Sequence, residues 1–249
     1  MLKRAFDLAV SSLGLIILSP LLGMVGLLIK IDSRGSVFFH GQRVGKGGQV
    51  FRIVKFRTMV EGSASKGPGF TVAGDPRVTR IGRFLRRTKI DELPQLWNVV
   101  RGDMSLVGPR PEDPRYVALY NDQQRRVLCV RPGITGPASI QYRNEEMLLA
   151  LRGAGAYEAL IMPKKIAVDL EYLRCRSFVG DLKIMLSTVG EVFRPRLTQP
   201  SADLIDDPGP DSVPSVLSGA SSTGASLHRP MQYDTAQGVE RSTDGKSGP

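Results

Sequence analysis

Cysteine is nearly absent: Cys129 and Cys175 are the two in 249 residues. That excludes a disulfide-stapled secreted domain and a cysteine-based zinc finger. Histidine is as scarce, with His40 and His228 alone, which argues against a His-ligated metal centre. Acidic residues are outnumbered, 24 against 34 Lys and Arg, giving a net charge of +10. A balance this basic points to anionic partners: nucleic acid, phospholipid headgroups or phosphorylated substrates. Hydrophobic residues reach 41% and charged residues 23%, so most of the chain can build a core. It is neither a disordered polyelectrolyte nor a polytopic membrane protein.

The charge is uneven. Residues 200–249 hold seven acids and three bases, so the first 199 residues carry +14. The same stretch has 9 Ser, 6 Gly and 6 Pro and almost no apolar periodicity. It cannot bury enough apolar surface to offset its ordering entropy, and residues 198–249 are expected to be a disordered tail. No internal repeat is present.

One long apolar run stands at the other end. Leu8 to Ile29 is 22 residues without a charge, roughly 33 Å as a straight helix, about the thickness of a bilayer core. No small-x-small cleavage site follows it, so a signal peptide is disfavoured. Ser19-Pro20 sits in its middle, where proline removes a backbone hydrogen bond and bends or breaks a helix. Ser19 can satisfy a freed backbone group. Lys3 and Arg4 precede the run, and Lys30 and Arg34 follow it. Basic flanks at both ends place both on one side of a membrane. Residues 1–34 are therefore predicted to form a re-entrant helix broken at Ser19 and Pro20. A spanning anchor with a tolerated proline and a buried soluble helix are the alternatives.

Residues 35–197 form the basic body. Phe38 and Phe39, then Val50 to Phe56, flank Gly45-Lys46-Gly47-Gly48, which predicts a β-hairpin. A phosphate loop of the Walker type needs four residues between its glycines. Gly41 and Gly45 have three between them, and Gly47 stands where Ser or Thr is required. Lys55 and Arg57 would make one face of the second strand cationic. Residues 61–74 are expected to be a mobile loop. Asp75-Pro76 then reads as the start of a helix over Arg77 to Lys89, with Ile81, Phe84 and Leu85 on its apolar side. Six bases without an acid repel one another unless an anion lies beside them, so this helix predicts a phosphate or membrane-surface role. Its single aromatic residue, Phe84, offers no interleaved stacking for bases, which disfavours nucleic acid.

Directly after this helix comes the acidic pair Asp91-Glu92. Asp91 reads as the cap of a new helix with Pro94 in its first turn. Helix dipole and nearby arginines would then keep the pair ionised. A carboxylate held against a phosphate must overcome like-charge repulsion, and a divalent cation with arginines removes it. The constellation can thus support a carboxylate attacking a phosphoryl group; a simple capping box is the competing reading. Pro109-Arg110-Pro111 holds Arg110 on a stiff backbone, where docking on phosphate loses little entropy. Tyr157 to Phe193 reads as helical, interrupted at Pro163 and near Gly180, and carries Asp169, Tyr172 and Asp181.

Taken in order, several segments resemble one family. They are Lys3-Arg4-Ala5-Phe6-Asp7-Leu8 with Ser19-Pro20, Lys55-Phe56-Arg57-Thr58-Met59, Arg86 to Leu96, Gly102 to Pro111, and Arg131-Pro132-Gly133-Ile134-Thr135-Gly136. The chain is similar over residues 1 to 195 to the bacterial sugar transferases, the monotopic phosphoglycosyl transferases, in a short form lacking the membrane region of larger relatives. The resemblance implies an α+β fold: a mostly helical small catalytic domain with a short β-hairpin and the re-entrant helix. It implies transfer of a sugar 1-phosphate from a UDP-sugar to polyprenyl (undecaprenyl) phosphate, with UMP released. Asp91 would be the nucleophile, with a phosphosugar-aspartyl intermediate, and Asp91 and Glu92 would hold Mg²⁺. Arg110, with Pro109 and Pro111, would face the nucleotide, and Arg86, Arg143, Lys55 and Arg57 would contact phosphate. The setting implied is the cytoplasmic face of the bacterial inner membrane, among its lipids, at the first membrane step of exopolysaccharide synthesis. A catalytically silent membrane scaffold is the alternative. The sugar, the polyprenol length and the oligomeric state, a homo-oligomer included, stay open.

Overall fold

A computed structural model describes residues 2–63, 71, 72, 74–152 and 155–193. The predicted tail and most of the predicted mobile loop lie outside the described residues. The architecture is α+β and mostly helical. Helix α1 runs Leu2–Asp32. Strands β1 (Phe38–Val44) and β2 (Val50–Phe56) follow as an antiparallel hairpin, with Phe38 opposite Phe56 and Val44 opposite Val50. The turn between them is a 3₁₀ segment, Lys46–Gly48, in which Gly47 and Gly48 take positive φ. Helices α2 (Arg80–Thr88) and α3 (Gln95–Arg101) come next. Strand β3 (Ser105–Val107) pairs in parallel with β4 (Gly133–Thr135), and α4 (Pro114–Val117) lies between them in sequence. Helices α5 (Pro137–Gln141), α6 (Glu145–Arg152), α7 (Met162–Cys175) and α8 (Phe178–Phe193) complete the body.

The break predicted at Ser19 and Pro20 does not interrupt the helix: α1 is continuous through both. Proline has no N–H to give to the carbonyl four residues back, Ile16. The Ser19 hydroxyl donates to that same Ile16 carbonyl at 2.8 Å, so the acceptor orphaned by Pro20 is satisfied and the helix persists. Its most apolar 18-residue window has a mean hydropathy of 2.3 and is 11% buried. It is long and apolar enough to cross a membrane, and it is not a core helix.

Both ends of α1 are fastened to the same body. At the start, Arg4 donates to the Val99 and Val100 carbonyls at 2.7 and 3.2 Å, at the C-terminal turn of α3 where a cation is favoured. Lys3 pairs with Asp181 of α8, and Ser105 donates to Asp7 at 2.7 Å. Phe6 and Val10 pack with Leu106, Val107, Tyr172 and Ile184. At the far end, Val25 and Ile29 pack with Phe56 and Leu85. The Asp32 carboxylate accepts from the Ile81 N–H at 3.1 Å. Arg57 donates to the Ser33 and Arg34 carbonyls, both at 2.8 Å.

Three predicted helix boundaries move. Asp75 does not cap a helix; it accepts from the Arg77 backbone and guanidinium. Thr79 is the cap of α2, accepting from the Gly82 N–H at 2.9 Å. Gly82 faces the body so closely that a Cβ there would lie 2.1 Å from the Thr58 carbonyl oxygen. With Gly82 and Leu85 inward, Phe84 turns out and is 57% exposed among arginines, not on the apolar side. Pro163 opens α7 instead of interrupting it, and the break falls at Arg176-Ser177, where Ser177 Oγ accepts from the Gly180 N–H at 3.0 Å.

Candidate active site

Asn98 fixes the frame. It is fully buried on α3, accepts from the Val54 N–H at 2.9 Å and donates to the Arg52 carbonyl at 2.8 Å. These bonds clamp α3 against β2. They bring the 3₁₀ turn Ile90–Glu92, which leads toward α3, beside the end of β2 where Lys55 stands. Lys89 joins α2 to that turn in the left-handed region, φ 60, a conformation that costs a non-glycine residue about 1–3 kcal/mol and tends to be kept at functional sites. The helix α3 begins after Pro94. Asp91 is therefore not its cap; the pair lies in the 3₁₀ turn that precedes α3.

A second support carries Arg110. Gly108, Gly133 and Gly136 let two loops touch: a Cβ on Gly136 would lie 2.3 Å from the Gly108 carbonyl oxygen. The Gly133 N–H donates to the Pro109 carbonyl at 2.8 Å, and the Gly108 N–H to Thr135 at 3.0 Å. Pro109 is buried in this junction and Pro111 lines the cavity. Asp169 on α7 is buried, and the nearby backbone N–H groups of Ala138 and Arg110 draw its carboxyl down against that burial. Its Oδ1 has no partner, and burial pushes its carboxyl up to about 7.

The result is a cavity of about 520 Å³, within the size range of small-molecule sites. Asp91, Glu92, Lys55, Arg86, Arg110 and Arg143 all line it. Arg110 grips Glu92 with two bonds, 2.7 and 3.2 Å, and Lys55 adds a third at 3.1 Å. Burial opposes the Glu92 charge, but Arg110, Lys55 and Lys89 outweigh it and hold the carboxyl well below its usual range. Asp91 differs. It is 7% exposed, and its Oδ1 is buried without a hydrogen-bond partner. Burial and then the Glu92 charge push its carboxyl up, while Lys55, Lys89 and Arg86 pull it back. The prediction that helix dipole and arginines hold both acids low thus fails for Asp91, because burial and the adjacent Glu92 charge outweigh the cations around it.

Arg86 pairs with Glu146 at 2.9 Å, and Arg143 pairs with Glu191. Arg57 does not join the site. The strand ends at Phe56, and the guanidinium turns to the carbonyls that follow α1. Ser19 and Pro20 are exposed on α1, remote in sequence and role from the cavity lining. Lys89, one of the bases given a phosphate role, also lines the cavity, whereas sequence reasoning missed Glu112, Glu145, Tyr157 and Lys165, which line it too. Glu112 directly follows Pro-Arg-Pro, the one signal that could have found it. Among the described residues no group of three His, Cys, Asp or Glu could hold a metal. Two adjacent carboxylates suit an ion such as Mg²⁺, which keeps water and takes substrate phosphate for its remaining positions.

The chain matches the bacterial sugar transferase family over residues 1–195. It is 43% identical over 194 residues to an undecaprenyl-phosphate glucose phosphotransferase of Komagataeibacter xylinus, covering 75% of this chain and 35% of that protein. It is 43% identical over 193 residues to the UDP-glucose:undecaprenyl-phosphate glucose-1-phosphate transferase of Caulobacter vibrioides, covering 75% and 68%. An N-acetylgalactosaminephosphotransferase of Aeromonas hydrophila, acting on undecaprenyl phosphate by its name, is 44% identical over 191 residues, covering 76% and 43%. The chain thus spans less than half the length of two of these three relatives.

Proposed function

We propose that this chain, which belongs to the bacterial sugar transferase family, moves a sugar 1-phosphate from a UDP-sugar to a polyprenyl phosphate such as undecaprenyl phosphate. One observation carries the reading: the bare, buried Oδ1 of Asp91 beside a Glu92 that takes three bonds from Arg110 and Lys55 and keeps one acceptor position. Of two adjacent acids, one is held as a fixed charge and the other is left with a free lone pair.

In the first step an Asp91 oxygen attacks the phosphorus that bears the sugar. The bond from that phosphorus to the bridging oxygen breaks, and its electron pair leaves on UMP. In the second step an oxygen of the lipid phosphate attacks the same phosphorus, and the Asp91 carboxylate leaves. Arg110, Lys55, Lys89 and Arg86 line the cavity around the acids and offset the negative charge that builds up as the anionic nucleophile approaches. Glu92 holds Arg110 in register through the bidentate pair. Asp91 and Glu92 would hold Mg²⁺, which when bound neutralises diphosphate charge.

A lipid acceptor requires the cavity to open at a bilayer. The attachment of both ends of α1 to one body supports a helix whose two ends stay on the same side of the membrane, with Leu13, Ile16, Ile17 and Leu27 exposed along it. Exposed Phe84 among the arginines of α2 supports contact with headgroups. A nucleotide-sugar donor supplied from the cytoplasm supports a body on the cytoplasmic face of the inner membrane. The relatives named for exopolysaccharide production support a place at the first membrane step of such a pathway. The test is UMP release from UDP-glucose, UDP-galactose and UDP-N-acetylgalactosamine, each with undecaprenyl phosphate and Mg²⁺ in liposomes. Release from at least one donor is expected; none from any contradicts the reading.

A further inference from the structure

The cavity has a second polar wall that the chemistry above does not use. The Tyr157 hydroxyl donates to Glu112 Oε2. The Lys165 ammonium lies 5.4 Å from the centre of the Tyr157 ring and donates to Glu145 Oε2 at 2.7 Å. Tyr157 and Lys165 are 4% and 7% exposed, whereas the Glu145 side chain keeps 30% of its surface. Tyr157 opens a π-helical turn, Tyr157–Ile161, a rare geometry that concentrates at functional sites.

Arg110 feels acids from both sets of residues. Glu92 is its bonded partner, and Glu145 and Glu112 lie within its electrostatic reach. Around Asp91 and Glu92 the cations Arg110, Lys55, Lys89 and Arg86 outnumber the two acids, whereas this wall sets Glu112 and Glu145 against Lys165 alone and suits a diphosphate less. Hydroxyl groups are the donors that carboxylate oxygens accept without a charge penalty. Each carboxylate has about four acceptor positions. Glu112 receives Tyr157 and the Asp113 N–H at 3.2 Å, and Glu145 receives Lys165, so both have lone pairs to offer. The polyhydroxylated part of the donor is its sugar, and it is bonded to the phosphorus that Asp91 attacks.

Resting on the transferase reading, we propose that Glu112, Glu145 and Tyr157 form the sugar-hydroxyl subsite and decide which UDP-sugar is accepted. Lys165 positions Glu145 and does not touch the sugar. A subsite built on hydrogen bonds to hydroxyls rejects an epimer or a deoxy analogue more sharply than an apolar pocket can.

The experiment compares wild type with Tyr157→Phe and Glu145→Gln as the full chain in liposomes. Three readouts are taken: kcat/KM for UMP release over the donor panel, the inhibition constant of UDP, and calorimetric binding of UDP and of each UDP-sugar. A roughly tenfold to hundredfold loss for the preferred donor is expected, the size of one hydrogen bond to a charged group. Preference among donors should narrow, and UDP, which has no sugar, should bind within twofold of wild type. Parallel weakening of UDP and UDP-sugar in both variants overturns the subsite, as does an unchanged order of preference with an unchanged spread. Should wild type release UMP from no donor, the transferase reading falls on its own. Tighter calorimetric binding of a UDP-sugar than of UDP, lost in both variants, would then still support the subsite, and equal binding would overturn it.

Discussion

Arg110 meets Glu92 through both arms of its guanidinium, at 2.7 and 3.2 Å, and this pair is what separates the roles of two neighbouring acids. Glu92 is the anchor of the cationic wall; Asp91, one residue earlier, keeps an oxygen bare.

Arg110→Ala leaves the buried Glu92 with Lys55 alone. Breaking a buried pair from one side is destabilising by about 3–5 kcal/mol, and the remaining Lys55 bond puts this case at the lower end. Thermal unfolding should register the loss. Arg110→Lys keeps the charge without the fork, so stability should recover in part while UMP release stays roughly tenfold or more below wild type. An Arg110→Ala protein as stable as wild type contradicts this account of Glu92.

Asp169 makes the fold sensitive to pH. Its carboxyl rises to about 7 in the folded protein, with burial the main cause, against about 4 in an unfolded chain. The folded state therefore holds a proton that the unfolded state releases between those values. Stability from this group is fully present below about pH 4 and lost as pH climbs to about 7, a difference of up to about 4 kcal/mol. Asp169→Asn keeps a carbonyl oxygen at this buried position and does not titrate. Its melting temperature relative to wild type should therefore rise from pH 5 to pH 8. A gap independent of pH contradicts the assignment.

The seating of α1 gives a topological prediction. Single cysteines at Leu2 and Arg34, in a chain with Cys129→Ser and Cys175→Ser, should react with an impermeant maleimide from the cytoplasmic side only. Labelling of the two positions from opposite sides contradicts a helix whose two ends stay on the same side of the membrane.

Much of this was legible because it is local. Alternating apolar residues around Gly45-Lys46-Gly47-Gly48 marked the hairpin, and Ser19 was read as the group that could answer for Pro20. The acidic pair and Pro-Arg-Pro were conspicuous because each breaks the chemistry of its neighbours. What stayed hidden depends on the third dimension. Lys55 and Arg57 are two apart and read as one face, yet the strand ends between them and only Lys55 reaches the cavity. Thr79 displaced Asp75 as the cap of α2 because Gly82 had to press against Thr58, a contact from another segment. Glu112, Glu145, Tyr157 and Lys165 come from four places in the chain. Only the packing of α6 and α7 beside the Arg110 loop makes them one wall.

The central claim is that the Asp91 oxygen becomes bonded to phosphorus. The direct measurement is peptide mass spectrometry of the protein incubated with its UDP-sugar and Mg²⁺ and no lipid acceptor, alongside UMP quantification. The account predicts one sugar phosphate on the peptide carrying Asp91, about one UMP per protein, and neither in Asp91→Asn, which should fold and bind membrane as wild type does. UMP release without an adduct, an adduct elsewhere, or an Asp91→Asn protein within a few-fold of wild-type activity contradicts it.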